Sequence, residues 1–303
     1  MPSHCNSTSV ANIPGATRAR DFGRHEAHQA PAIGVSQNFI EHPLEEAITT
    51  CHQPVRDTPC RVPTPQEPRM KIGIIGAGSI GATLARKWVK LGHEVSLANS
   101  RGPDTLRELA AEIGATPVTA VQAARSGEIV VVTIPQRAVA DLPKDLFIGL
   151  PTDVVVIDTG NYYPTRDGVI SAIEEGLPDS SWVSEHLGRP VIKAFNNIGV
   201  QSLAEKSTPK GTPGRVALSV AGASPDAKAK AMRLIDELGF DPVDAGGIED
   251  SWRQQPGTPA YCRDLDVPHL KDALAAADRS RIPEYRKAAD DAAKPFFEAQ
   301  NRR

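Results

Sequence analysis

The stretch "MKIGIIGAGSIG", residues 70–81, decides the fold. Its first half is a short run of β-branched and apolar residues, the composition of a buried strand. Gly76, Gly78 and Gly81 then give G-x-G-x-x-G at the point where a helical pattern begins. Each glycine has its own physical task in such a turn. The first permits the tight reversal, the second lets the backbone approach a pyrophosphate, and the third lets helix and strand pack closely. The helix start adds free N–H groups and a partial positive charge for phosphates, and Ser79 can contribute its hydroxyl or serve simply as a first-turn residue.

Working outward, apolar runs alternate with amphipathic helices. Strands are predicted at 71–75, 94–98, 128–134, 153–158, 190–195 and 215–221, most of them too apolar for a sheet with one wet face. Between the first two, Ile80, Leu84, Trp88 and Leu91 make one helix face that Gly92 closes; Thr105 and Glu108 form a capping box ahead of Leu109 and Ile113. Ser224 and Pro225 open a later helix that Gly239 ends. This grammar predicts an α/β fold, a Rossmann-type doubly wound, mostly parallel sheet. A short strand in "FDPVDAG" (240–246), a polar loop (247–265) and two helices within 268–300 predict a small C-terminal helical cap. The expected organisation is a leader (1–69), a dinucleotide-binding domain (70–222) and a C-terminal extension (223–303) packed on the same domain.

The leader reads differently. Its 69 residues hold nine prolines and five of the eight histidines, with no period of 2 or 3.6, and such composition is expected to stay disordered. Two readings stand side by side: an unstructured extension, or an over-long reading frame whose true start is Met70. His4, His25, His28, His42 and His52 are too scattered to suggest a metal, and Cys5, Cys51, Cys60 and Cys262 fit no zinc or disulfide spacing. The net charge of -3 argues against nucleic acid, and without a long apolar run or a signal peptide the expected setting is cytoplasmic, away from membranes.

Cofactor choice turns on "LANSRG", residues 97–102, at the end of the second strand. An Asp or Glu here would accept from the adenine ribose 2′-OH and repel a 2′-phosphate. Asn99, Ser100 and Arg101 stand there instead, 23 to 25 positions after Gly76. A hydroxyl beside a guanidinium suits the extra phosphate of NADP(H), although the same residues also make good turn chemistry. Further strand ends bring Ile134 and Pro135 ("VVVTIPQ"), Gly160 and Asn161 ("VIDTGNYYP"), and Ala194 and Asn196 ("VIKAFNN") to the same rim.

Residues 72–102 together with "VIKAFNNI" and "LIDELGFDPVDAG" resemble the NADPH-dependent coenzyme F420 reductase family, over about residues 70–262. The reductase domain of the STEAP metalloreductases is a more distant likeness. The resemblance implies NADP(H) as cofactor and hydride transfer to or from a deazaflavin or flavin-like partner, coenzyme F420 or a flavin, as a small-molecule redox acceptor. It further implies Ala77, Ser79 and Ile80 at the pyrophosphate, Ser100 and Arg101 at the 2′-phosphate, Ile134 and Pro135 behind the dinucleotide, and Ala194 with its neighbours near the nicotinamide. The segment from about 249 onward exceeds the family's compact pattern.

Direct ring-to-ring hydride transfer needs no obligatory acid or base, and no catalytic residue is assigned. His93 is expected at the surface and His186 in a loop. A rival reading is an NADP-dependent dehydrogenase or reductase of a hydroxy acid or imine, through Lys193 and Asn197 in K-x-x-x-N; that pair needs a helix to share a face, and "VIKAFNN" reads as strand. Another is a non-catalytic NADP-binding redox sensor using Tyr261 and Cys262 for partner contacts. A homodimer is the default expectation for such sheets.

Overall fold

The computed structural model describes residues 69–301; the leader, with Cys5, Cys51, Cys60 and its histidines, lies outside the described residues. The chain runs β1 (Lys71–Ile75), α1 (Ser79–Lys90), β2 (Glu94–Ala98), α2 (Arg107–Ile113), β3 (Thr116–Pro117), α3 (Ala120–Ser126), β4 (Ile129–Val132) and β5 (Val155–Asp158). After β5 come three short helices, α4 (Pro164–Asp167), α5 (Ser171–Glu174) and α6 (Asp179–Leu187), then β6 (Val191–Lys193) and α7 (Val200–Glu205). The six strands form one parallel sheet in the order β3-β2-β1-β4-β5-β6. The order reverses between β1 and β4, which opens a crevice beyond their carboxyl ends, the place where open α/β sheets take ligands. The expected Rossmann-type fold is the observed one.

Burial explains why these residues make strands. All four residues of β4 and of β5 are buried, so the apolar runs are covered on both faces. Ile72, Ile74, Leu84 and Trp88 fill one layer, and Val130, Val132, Val156 and Trp182 the other. Trp88 is fully buried and meets Phe195 edge to face at 5.8 Å, so Trp88→Ala would cost about 3–5 kcal/mol. Leu91, expected on that face, is 49% exposed instead: it is the residue that caps α1, before Gly92 turns the chain away at φ 91°.

Two other local expectations give way to tertiary context. The capping box at Thr105 does not form, because Pro103–Leu106 is a 3-10 turn and the Thr105 hydroxyl bonds the Gly102 carbonyl and the Asn99 amide. The box sits instead at Thr119 and Gln122, opening α3. The strand expected at 215–221 is β7 (Ala217–Val220), which pairs in parallel with β8 (Asp241–Asp244) in a separate two-stranded sheet. An antiparallel bridge from Lys193 to Ala221 links it to the end of β6. Between them lies α8 (Pro225–Glu237), capped as expected by the Ser224 hydroxyl.

The C-terminal part is α9 (Val267–Ala275) and α10 (Ile282–Asn301). Arg286 of α10 reaches Glu174 at 2.6 Å and the Ile173 carbonyl at 3.0 Å, while Asp290 accepts from the Thr165 amide at 3.0 Å and hydroxyl at 2.6 Å. The segment 247–265, expected as a polar loop, is packed into the body. Ile248–Gln254 is a 3-10 helix, and Trp252, Gln254 and Ala260 are buried. No described helix is long and apolar enough to cross a membrane.

Candidate dinucleotide site

The three glycines of the turn meet three different surroundings. Gly76 has φ 122°, and a Cβ there would lie 2.1 Å from the Thr133 carbonyl oxygen. A Cβ on Gly81 would lie 1.9 Å from the Gly76 carbonyl oxygen, so helix and turn touch backbone to backbone. A Cβ on Gly78 would meet nothing within 4 Å. Two glycines are therefore required by the protein's own packing, and the third leaves open space in front of the backbone. Gly78 is also the N-cap of α1, without a side-chain cap and without an acidic residue in the first turn. The N–H groups that begin the helix are thus left to an external acceptor. Ser79 is exposed and its carbonyl accepts from Thr83, whereas Ile80 is half-buried against the core.

A cleft of about 920 Å³ opens in front of this turn. Residues 76–78 form its floor, and Ile134 and Pro135 at the end of β4 form one side. Asn99, Ser100 and Arg101 at the end of β2 form another. Asn99 shapes that edge: its side-chain oxygen Oδ1 accepts from the Arg101 backbone N–H at 3.0 Å and its NH2 donates to Thr105 at 2.9 Å. With Asn99 occupied inward, the Ser100 and Arg101 side chains are exposed, and among the described residues neither has a partner. Sequence reasoning missed the opposite wall, Ala120, Ala138, Leu142 and Pro143, an apolar surface suited to a purine face. The signal for it was position alone, at the start of α3 for Ala120 and on the chain that leaves β4 for the other three.

Ala194 and Asn196 stand apart from this cleft, at the end of β6. Ala194 is fully buried. Asn196 is 2% exposed; its NH2 donates to the Asn161 side-chain oxygen at 3.1 Å and the Gln254 carbonyl at 2.7 Å, and its own oxygen accepts from the Gln254 amide at 3.0 Å. The Asn161 NH2 donates to the Asn196 carbonyl at 3.2 Å. These amides hold the ends of β5 and β6 together and leave the Asn196 side chain no spare group.

Beneath them lies a buried ion pair. Lys193 is 0% exposed and donates to Asp158 at 3.1 Å and to the Gly160 carbonyl at 2.5 Å. Asp158 also accepts from the Ser180 hydroxyl at 2.6 Å and the Gly160 amide at 2.8 Å. Neighbouring Asp179, wholly buried, has its carboxyl pushed up from its ordinary value by desolvation. The lysine is a structural pin for the turn after β5, in a strand as expected, and its ammonium is not presented to the rim.

Phe195, Cys262 and Asp264 are the non-glycine residues with positive φ among the described residues, at 60°, 50° and 50°. The first two lie at one locus, since the Cys262 amide donates to the Asn197 carbonyl at 3.0 Å and its thiol faces the Asn196 carbonyl at 4.0 Å. Beside them the Tyr163 and Tyr261 hydroxyls are 2.7 Å apart. Burial pushes both phenols up, and the Cys262 thiol up to about 11, so all three stay protonated near neutrality. The histidines serve the fold. His93, expected at the surface, is buried: it accepts from the Met70 amide at 3.1 Å and bonds Glu237 at 2.9 Å. His186 stacks on Trp182 at 3.7 Å.

A parallel sheet in this order, with a glycine turn at its switch point and a cleft beyond it, is a Rossmann-type fold. Residues 71–162, which hold the turn and the lining of the cleft, match the family described as NADP oxidoreductase, coenzyme F420-dependent. The protein YjhV of Escherichia coli (strain K12) is 44% identical over 99 residues, 31% of this chain. The chain spans 65% of the length of that curated relative. Among solved structures, the hypothetical protein SMa0349 of Sinorhizobium meliloti is similar at 29% identity and a TM-score of 0.56, over 66% of this chain and 96% of that one. A candidate F420-dependent NADP reductase of Arthrobacter sp. FB24 shares the fold at 21% identity and a TM-score of 0.50, over 60% of this chain and 87% of that one.

Proposed function

We propose that the protein is an NADP(H)-dependent oxidoreductase that passes hydride between the nicotinamide and a deazaflavin or flavin acceptor, as the name of the matched family suggests. The observation that carries the cofactor reading is the pairing of an open Gly78 with two uncommitted side chains, Ser100 and Arg101, across the same cleft. When bound, NADPH supplies the hydride. The protein's own residues hold and orient it: residues 76–81 offer backbone N–H groups to the pyrophosphate, and Ser100 and Arg101 take the 2′-phosphate. Ile134 and Pro135 exclude water from the face behind it. The nicotinamide end points toward the ends of β5 and β6, where Ala194 and Asn196 are buried and support that end from behind without touching it. Positioning of this kind needs no side-chain acid.

The acceptor belongs, in this reading, at the ends of β5 and β6 under the segment 254–264, beside Asn161, Tyr163 and Tyr261. Its identity, whether coenzyme F420 or a flavin, is part of the proposal, as are a cytoplasmic setting and a homodimer. The hydroxy-acid reading is weaker, because Lys193 is spent on Asp158 and Gly160. The test is a fluorescence titration with NADPH and NADH, followed by NADPH oxidation assayed against coenzyme F420, FMN and a panel of keto acids and imines. Tighter NADPH binding that Arg101→Ala abolishes, with turnover of F420 or FMN, is expected; equal affinity for the two dinucleotides would sink the cofactor reading.

A further inference from the structure

On the side of the cleft opposite Arg101 stands a second arginine that no motif announces. Arg137 lies in the 3-10 turn Gln136–Val139, which leaves the end of β4. Because β1 pairs with β2 on one side and β4 on the other, the turn at residues 76–78 is flanked by Arg101 and by Arg137. The base of this second turn is fixed. Gln136 is fully buried and its amide donates to the Asp179 carbonyl at 2.9 Å, and the Arg137 backbone N–H reaches Asp167 at 3.4 Å. The Arg137 side chain, by contrast, is exposed, lines the cleft, and has no partner for its guanidinium among the described residues. Asp141 lines the same cleft one turn farther on, yet makes no ion pair with it among the described residues. A long cation held by its backbone, pointing into a cleft and left unpaired beside an available carboxylate, is placed for a ligand's charge.

We propose that Arg137 is a second anion-binding residue of the cleft, gripping the pyrophosphate common to NADP(H) and NAD(H) and leaving the choice between them to Ser100 and Arg101. The proposal rests on the nucleotide reading above. Charge supports it: a pyrophosphate carries two negative charges, and the start of a helix offers only about half a positive charge. Arg101, committed to the extra phosphate, does not balance the rest. The chain order supports it too, since β4 adjoins β1, whose turn faces the pyrophosphate, and not β2, whose end faces the 2′-phosphate.

The experiment is a fluorescence titration of NADPH and NADH into the full chain and its R137A, R137Q and R101A variants, with thermal melts to verify folding. Arg137→Ala and Arg137→Gln are expected to weaken both dinucleotides by the same factor, roughly 10- to 100-fold, the worth of one charge-assisted contact. The NADPH-to-NADH preference stays unchanged in those variants, and Arg101→Ala alone collapses it. Folded R137A and R137Q that bind both dinucleotides like the wild type would overturn the proposal, as would a loss confined to NADPH. Wild-type protein that binds neither dinucleotide would instead overturn the nucleotide reading itself, a visibly different result.

Discussion

Replacing Gly78 by alanine separates what the turn does for the fold from what it does for a ligand. Gly78 has φ −74° and ψ −171°, a conformation any residue adopts, and its added Cβ would meet nothing within 4 Å. Alanine loses less chain entropy on folding, a gain of about 0.4–1 kcal/mol, but is a poorer N-cap than glycine by a similar amount. The two effects offset, and the melting temperature of Gly78→Ala should stay within about 2–4 °C of the wild type. Binding should not survive as well. The Cβ fills the space through which a pyrophosphate would reach the first N–H groups of α1, and losing one charge-assisted hydrogen bond costs about 1.5–3 kcal/mol, or roughly 10- to 100-fold in affinity. Gly81→Ala is the contrast, since its Cβ would lie 1.9 Å from the Gly76 carbonyl oxygen and must force helix and turn apart. Differential scanning fluorimetry with and without NADPH reads both effects in one assay. Gly78→Ala that folds normally and binds NADPH with unchanged affinity would refute the placement of the phosphates at this turn.

Lys193→Ala strands the buried Asp158 carboxylate and should cost about 3–5 kcal/mol by urea denaturation, with much of that recovered in Asp158→Asn/Lys193→Met. Lys193→Ala that keeps full stability yet loses turnover of a keto acid would restore the lysine as a proton donor. The Cys262 residue is exposed but its thiol is desolvated, which pushes it up to about 11, so iodoacetamide at pH 8 should modify it far more slowly than an unperturbed cysteine, as peptide mass spectrometry can measure; an equal rate would refute that desolvation. Asp236 is partly buried, which opposes ionisation, but Lys210 and Arg215 outweigh this and hold its carboxyl below 3.8. That sign means its stabilisation is full above pH 4 and lost as pH falls through the folded value. The gap in melting temperature between wild type and Asp236→Asn should therefore shrink below pH 4.

The nucleotide half of the site was legible because its chemistry is local. Three glycines at fixed spacing, then Asn99, Ser100 and Arg101 one strand later, carry their meaning within about 30 residues. What failed to show depends on partners far along the chain. Lys193 meets Asp158 across two paired strands, so neither residue advertises the pair in sequence. His93 looks like a polar strand end until Met70 and Glu237 close on it. Thr105 has the right spacing for a cap but loses its hydroxyl to Asn99 and Gly102, while Thr119, in a less apolar stretch, keeps its own. The segment 247–265 reads as polar because of its charged residues and its two glutamines, Gln254 and Gln255. Both glutamines are buried nonetheless, and Gln254 is paired with Asn196 from the end of β6.

Backbone strain bears on where the unshared part of this chemistry resides. A non-glycine residue held at positive φ costs of order 1–3 kcal/mol and persists only where its surroundings over-determine it. Phe195 is held by Trp88, Cys262 by the Asn197 carbonyl, and Asp264 by Ser202 at 2.7 Å and Lys206 at 2.9 Å. Packing across β6 and α7 thus maintains a conformation that the local sequence disfavours. Its effect is to seat residues 261–264 against the end of β6, next to the rim that the amides of Asn161 and Asn196 brace. All three strained residues fall outside 71–162, the region matched by the family. The strained wall thus lies in a different part of the chain from the glycine turn, which falls inside the matched region. Changes at Tyr163 or Tyr261 should alter acceptor preference while leaving NADPH affinity as it was.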